Sequence, residues 1–168
     1  PARGSAMAAA PPPNLLVSEA SRQLGDFRVA DSSAEGAENT LPSGIGWFAA
    51  VGSSHFITYD LGSVREVTSL CLEAANPEAA PKDVAVRASE SLGSAAAAPP
   101  ARILCGHGRH VYPLPLPQVG RFVRVEVTSN HGAHYVGINS VEFRGPAKVL
   151  DLAPGVGERE QAGFLYVN

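Results

Sequence analysis

Charged side chains are scarce in this 168-residue chain: they make up 17% of it, and 13 Lys and Arg against 16 Asp and Glu leave a formal net charge of -3. A soluble domain averages about 25%. A weakly acidic chain with no basic cluster has no electrostatic means of gripping nucleic acid or an anionic membrane, so neither is expected as a partner. Cysteine is nearly missing, with Cys71 and Cys105 alone. That excludes a disulfide-dense scaffold. Cys71 sits inside the apolar run 68–72, where a reduced thiol is common, and Cys105 closes the run 102–105. Spacing leaves their pairing open. No apolar stretch approaches the ~18 residues of a membrane-spanning helix, so no transmembrane segment is expected. The motifs of catalysis are missing too. There is no Gly-x-Ser-x-Gly, no Cys/His pair in a recognised setting and no phosphate-cradling glycine loop. The chain reads as a non-enzyme.

Turn residues are what the chain has in quantity. Its 17 glycines and 14 prolines fall between apolar runs, as an all-β protein with many turns requires. The most informative stretch is 121–145, RFVRVEVTSNHGAHYVGINSVEFRG. Val123, Val125 and Val127 point one way; Arg124, Glu126 and Thr128 point the other, outward to solvent or a partner. Val136 and Ile138, then Val141 and Phe143, form a second arm whose change of parity predicts a β-bulge at Asn139-Ser140. Between the arms, Ser129-Asn130-His131-Gly132-Ala133-His134 has the Asn and Gly chemistry of a turn. The whole reads as one long antiparallel hairpin.

Further strands are expected at 14–18, 27–30, 55–61, 64–74, 82–89, 102–105 and 110–116. Pro113, Pro115 and Pro117 confine the last to a sheet edge or an extended connector. Residues 31–46 read as a long polar loop, and 91–100 as a low-complexity loop too short to nucleate a helix. Residues 1–13 are a tag remnant and flexible Ala/Pro-rich lead, 14–146 a β-sandwich, and 147–168 a tail. The tail's Phe164-Leu165-Tyr166-Val167 adds a strand or packs as an arm. If Met7 is the true start, the location is cytoplasmic; if it comes from a vector, the chain is an excised fragment and an extracellular home follows.

The order of elements then resembles a known family. Ala37-Glu38-Asn39, then Trp47, then Phe56-Ile57-Thr58-Tyr59-Asp60-Leu61-Gly62, then the strand 64–72, is similar to discoidin domains, the coagulation factor 5/8 C-type. The strand 121–127 resembles that family's R-y-v-R strand, and Val141-Glu142-Phe143-Arg144-Gly145 its closing E-x-x-G strand. Ser129-Asn130-His131-Gly132 is also similar to turns of the SUN domain and of the anaphase-promoting-complex DOC domain. The resemblance covers residues 14–145. It implies a galactose-binding-domain-like jelly roll of about eight antiparallel strands that binds without catalysing.

The same resemblance implies a ligand site in loops at one end of the sandwich. A groove formed by 31–46, 106–112 and 129–135 offers Phe48, Arg109, Asn130, His131, His134 and Tyr135, which supply donors and aromatic faces. Trp47 is expected in the core. His107/His110 and His131/His134 are two H-x-x-H pairs, read as polar turn residues before zinc ligands. Calcium-binding relatives carry an N-x-x-D-G loop, and Asn39-Thr40-Leu41-Pro42-Ser43-Gly44 lacks the aspartate. No cofactor is therefore expected, with calcium at Asp31 and Glu142 as the alternative. Asp60 and Glu142 otherwise show no evident partner. The leading functional reading is a protein-protein interaction domain of an intracellular assembly. Ciliary, centrosomal, cytoskeletal and ubiquitin-ligase settings are implied by resemblance only. The alternative is a carbohydrate- or phospholipid-binding module of an extracellular or cell-surface protein, with Leu41, Ile45 and Phe48 as membrane-facing spikes.

Overall fold

The structure, a computed structural model, describes residues 21–41, 44–50 and 54–146. Along them run the strands β1 (Ser21–Gln23), β2 (Arg28–Ser32), β3 (Trp47–Ala50), β4 (His55–Ala74), β5 (Asp83–Ser89), β6 (Ala101–Leu104), β7 (Gly108–Val127), β8 (Tyr135–Ile138) and β9 (Ser140–Pro146). The 20-residue strands β4 and β7 pair antiparallel, but their register shifts between Asp60 and Arg65 and again between Val67 and Ser69. Gly62 lies in the first break at φ 76°, a left-handed conformation that glycine adopts without strain. At the second break Val67 faces Gln118 and Ser69 faces Pro113, so residues 114–117 loop out of the ladder. Pro115 and Pro117 have no N–H to donate there.

Such breaks let a long strand turn a corner and serve both layers of a sandwich. One half of β4, 55–60, lies beside β2 and the 122–127 half of β7, which continues into β5 and β6. The other half, 69–74, lies between the 108–113 segment of β7 and β9, which carries β1. The halves face each other across the core: the Tyr59 and Phe143 rings meet edge-on at 5.2 Å, and Phe27 packs against both at 5.5 and 5.2 Å. β3 and β8 pair as a separate ribbon whose Trp47, Ala49, Val136 and Ile138 join the same core.

Alternation predicted the buried faces well. Val123, Val125 and Val127 are 0, 2 and 3% exposed, and Val84, Val86, Leu70 and Leu72 are buried with them. Pairing of 121–145 came out differently. It is no hairpin: 122–127 pairs with β4 and β5, β8 pairs with β3, and β9 with β4 and β1. Asn139 is not a bulge within one strand either. Parity changes there because the chain leaves the ribbon for the main sheet, pinned as the Asn139 N–H donates to the Glu73 carbonyl at 2.7 Å.

The expected strands 55–61 and 64–74 are one continuous strand, and 27–30 begins one residue later and extends to Ser32. Residues 110–116 fall in β7, and 108–113 pairs with β4 alone, the edge position its prolines demanded. The segment 91–100 holds only the short 3-10 turn Leu92–Ser94. Cys71 and Cys105 are buried, free thiols. The expected strand at 14–18 and the tail 147–168 lie outside the described residues.

Candidate functional site

One corner of the sandwich gathers polar and aromatic side chains around the β3–β8 ribbon. Phe48 and Gly137 are cross-strand partners on its outer face. A methyl group at Gly137 would sit 3.1 Å from the Phe48 ring, so only the missing side chain lets that ring lie across β8. Phe48 is 58% exposed. Tyr135, two residues before Gly137 and so on the same face, brings its half-buried ring to 6.0 Å from Phe48, tilted 63°. The exposed His134 ring stands 5.4 Å from the Tyr135 ring.

The turn after β4 completes the corner. Asn76 Oδ1 accepts the Glu78 and Ala79 N–H groups at 2.9 and 3.2 Å, while its Nδ2 donates to the Tyr135 hydroxyl at 2.9 Å. The Gly137 N–H donates to the Ala79 carbonyl at 2.9 Å, stitching turn to ribbon. Asn76-Pro77 signals a turn in the sequence. Nothing local says that its amide reaches a tyrosine 59 positions further on.

Of the residues expected to bind ligand, Phe48, His134 and Tyr135 come together here. Asn130 does not offer its amide. Its Nδ2 donates to the Ala133 and Tyr135 carbonyls at 2.8 and 2.7 Å, and its Oδ1 accepts the Gly132 N–H at 3.0 Å. It shapes the loop from within. His131 Nε2 lies 2.9 Å from the Cys105 carbonyl, joining 129–135 to the neighbouring loop, and His110 Nε2 lies 2.9 Å from the His107 carbonyl. In the second H-x-x-H pair the two rings thus address different partners, His131 the Cys105 carbonyl and His134 the Tyr135 ring. Burial, with the Asp83 carboxylate adding to it, pushes the Cys105 thiol up to about 12, so it stays protonated at neutral pH.

Arg109 is committed elsewhere. On the outer face of β7 it bonds the Glu142 carboxylate and reaches Glu73 at 3.4 Å, and Glu73 also accepts the Ser140 hydroxyl at 3.1 Å. Glu142 therefore has a partner after all. Asp31 does not meet it: Asp31 lies on β2 opposite Thr58, Glu142 on β9 opposite Cys71. The two expected calcium carboxylates are on separate strands of opposite layers. In the loop after β2, the Ala37 carbonyl accepts the Thr40 hydroxyl at 2.6 Å and the Asn39 carbonyl accepts the Gly46 N–H at 3.1 Å. Within the expected 31–46 loop, Thr40 turns inward, with its Oγ1 2.7 Å from the Tyr59 hydroxyl, while Ile45 is 86% exposed.

Where β4 turns, at the far end of its 55–60 half from His55, a shallow concavity of about 270 Å³ is lined by Asp26, Phe27, Arg28, Asp60, Gly62 and Arg121. Sequence reading gave Asp60 no partner, yet it is the most heavily bonded carboxylate described. Arg121 donates to both its oxygens at 2.7 and 2.9 Å, Arg28 Nη2 to Oδ2 at 3.1 Å and the Gly62 N–H to Oδ1 at 2.9 Å. The Arg121 guanidinium, helped by that N–H and by Arg28, holds the carboxyl far below the usual carboxylate range against the opposing effect of burial.

No family model and no curated protein matches this sequence. Solved structures do match. The family 32 carbohydrate-binding module from Streptococcus pneumoniae EndoD superposes with a TM-score of 0.56 at 18% identity, covering 74% of this chain and 99% of that one. An F5/8 type C domain from Bacteroides fragilis gives 0.55 at 9% identity, covering 72% and 91%. The family 32 module of C. perfringens NanJ, solved in complex with galactose, gives 0.52 at 10% identity, covering 74% and 98%. The shared property is the fold, a discoidin-like, galactose-binding-domain-like β-sandwich.

Proposed function

We propose that this chain is a non-catalytic saccharide-recognition module whose ligand lies on Phe48, at the corner made by β3, β8 and the turn after β4. The observation that carries the reading is the geometry of Phe48. A large apolar ring stands 58% exposed on the β3–β8 ribbon beside the Tyr135 ring, and Tyr135 in turn meets the His134 imidazole and bonds the Asn76 amide through its hydroxyl. Sugars have an apolar C–H face for such a ring and hydroxyls for such neighbours. Phe48 and Asn76 have no ionisable group, and the Arg109 guanidinium is held by Glu73 and Glu142, so the corner suits a neutral sugar better than an acidic one. The carbohydrate-binding modules among the similar folds support this reading ahead of a protein-interaction role in an intracellular assembly.

Titration calorimetry of galactose and of mannuronic acid tests it. The expected result is saturable binding of the neutral sugar, weaker binding of the acid, and an about tenfold weakening of both in Phe48→Ala. A glycan array on which the wild type binds nothing, or on which Phe48→Ala binds as well as wild type, would sink the reading. A second reading rests on Ile45, 86% exposed, near Phe48 in sequence: two apolar side chains suited to entering a phospholipid surface. Liposome sedimentation abolished in Ile45→Ser but kept with free galactose present would favour it.

A further inference from the structure

We infer that Asn76 makes the Tyr135 hydroxyl a one-way donor, so that the corner selects a saccharide presenting an acceptor oxygen to it. This rests on the corner being a saccharide site. The amide's orientation is settled by its own bonds. Two backbone N–H groups, of Glu78 and Ala79, point at one atom of the Asn76 side chain, which must be the carbonyl oxygen. The atom 2.9 Å from the Tyr135 hydroxyl is then the amide nitrogen. An amide nitrogen has hydrogens and no usable lone pair, so the phenol oxygen accepts from it. A phenol has a single O–H, and here it is directed away from Asn76. Among the described residues nothing accepts it.

The ring cannot swing freely to change this. Phe48 and His134 flank it, at 6.0 and 5.4 Å, and the backbone of Tyr135 is held both in the ribbon and by the Asn130 amide at 2.7 Å. The donor is therefore aimed before any ligand arrives, which removes an ordering cost from binding. Sugar hydroxyl, ring and glycosidic oxygens all accept a hydrogen bond. A methyl ether accepts as well, although it cannot donate. A deoxy position does neither. Asn76 is a positioning residue here, acting on ligand through Tyr135.

The test is calorimetry of the whole chain with methyl hexopyranosides and their mono-deoxy and mono-O-methyl derivatives. At one ring position, removing the oxygen weakens binding roughly tenfold while methylating it does not, the size expected for one lost hydrogen bond. Tyr135→Phe keeps the aromatic ring and abolishes that discrimination. Asn76→Asp retains acceptors for the Glu78 and Ala79 N–H groups, but its carboxylate accepts a hydrogen bond from the phenol O–H and so reverses the hydroxyl. The pattern then inverts: the free hydroxyl, able to donate, is kept and the methyl ether is rejected roughly tenfold. A purely structural role for Asn76 would weaken every derivative alike. Wild-type binding that treats deoxy and methyl ether alike at every position, or an Asn76→Asp pattern identical to wild type, overturns this inference alone. Failure of the wild type to bind any of these sugars overturns the site reading and this inference with it.

Discussion

The two polar clusters of this sandwich use similar chemistry to opposite ends. Around Asp60, two guanidiniums and a backbone N–H meet one carboxylate that is 3% exposed, and both its oxygens are occupied. At the corner, Asn76, Tyr135 and His134 are linked to one another yet keep exposed faces, and Phe48 stands open beside them. A site whose donors and acceptors are matched internally stabilises the bend of β4. One whose groups are oriented but unspent is ready for a ligand. A concavity alone does not separate the two, since the more evident hollow is the one at Asp60.

Substitutions should split along that line. The largest effect is expected from Asp60→Ala, which strands two arginines at the bend. Because Arg28 and Arg121 reach water and relax, the loss is about 2 kcal/mol by urea unfolding, with sugar affinity unchanged. Acid should reveal the same pair. A carboxyl held below its unfolded pKa of about 3.9 stabilises fully above that value and progressively less as pH falls beneath it. Wild-type stability should therefore decline below about pH 4, and Asp60→Asn should flatten that decline. A parallel decline in both proteins would show that Asp60 is not the group responsible.

Next in size is Phe48→Ala, which should weaken sugar binding about tenfold or ~1.4 kcal/mol and leave the melting temperature nearly unmoved, since the ring is already in water. Gly137→Ala probes the same ring without removing it. Its methyl, 3.1 Å from the present Phe48 position, displaces the ring and should cost roughly threefold in affinity, or ~0.7 kcal/mol. Affinity equal to wild type would mean that the ring's seat on β8 is unimportant. Smallest is Arg109→Ala, expected to change affinity by less than about twofold because it lies in a separate network. A large loss there would extend the site onto the outer face of β7.

The sequence was most legible where physics is local. Period-2 alternation identified the buried sides of Val84, Val86, Val123, Val125 and Val127, because a pleated strand with one wet face leaves that mark whatever it pairs with. Trp47 in the core was expected from the family resemblance alone; the strand that carries it, with burial pattern buried-exposed-buried-exposed, was not read from the sequence. What alternation omits is the partner. Residues 121–145 carry strand, turn and strand signals, yet their mates lie on β3, β4 and β5. For the same reason Asp60 with Arg121, and Asn76 with Tyr135, were invisible: those pairs are 61 and 59 positions apart. Arg109 and Asn130 were read as free donors from residue type alone. Their hydrogen bonds, to Glu142 and within the 129–135 turn, exist only once the chain is folded.

Chemical-shift mapping of the backbone amides during a galactose titration puts the contrast between the two clusters to the most direct test. Saturable changes confined to Phe48, Asn76, Glu78, His134, Tyr135 and Gly137, with Asp60, Gly62 and Arg121 unmoved, are the predicted result. Changes centred on Arg28, Asp60 and Arg121, with the corner silent, would contradict it.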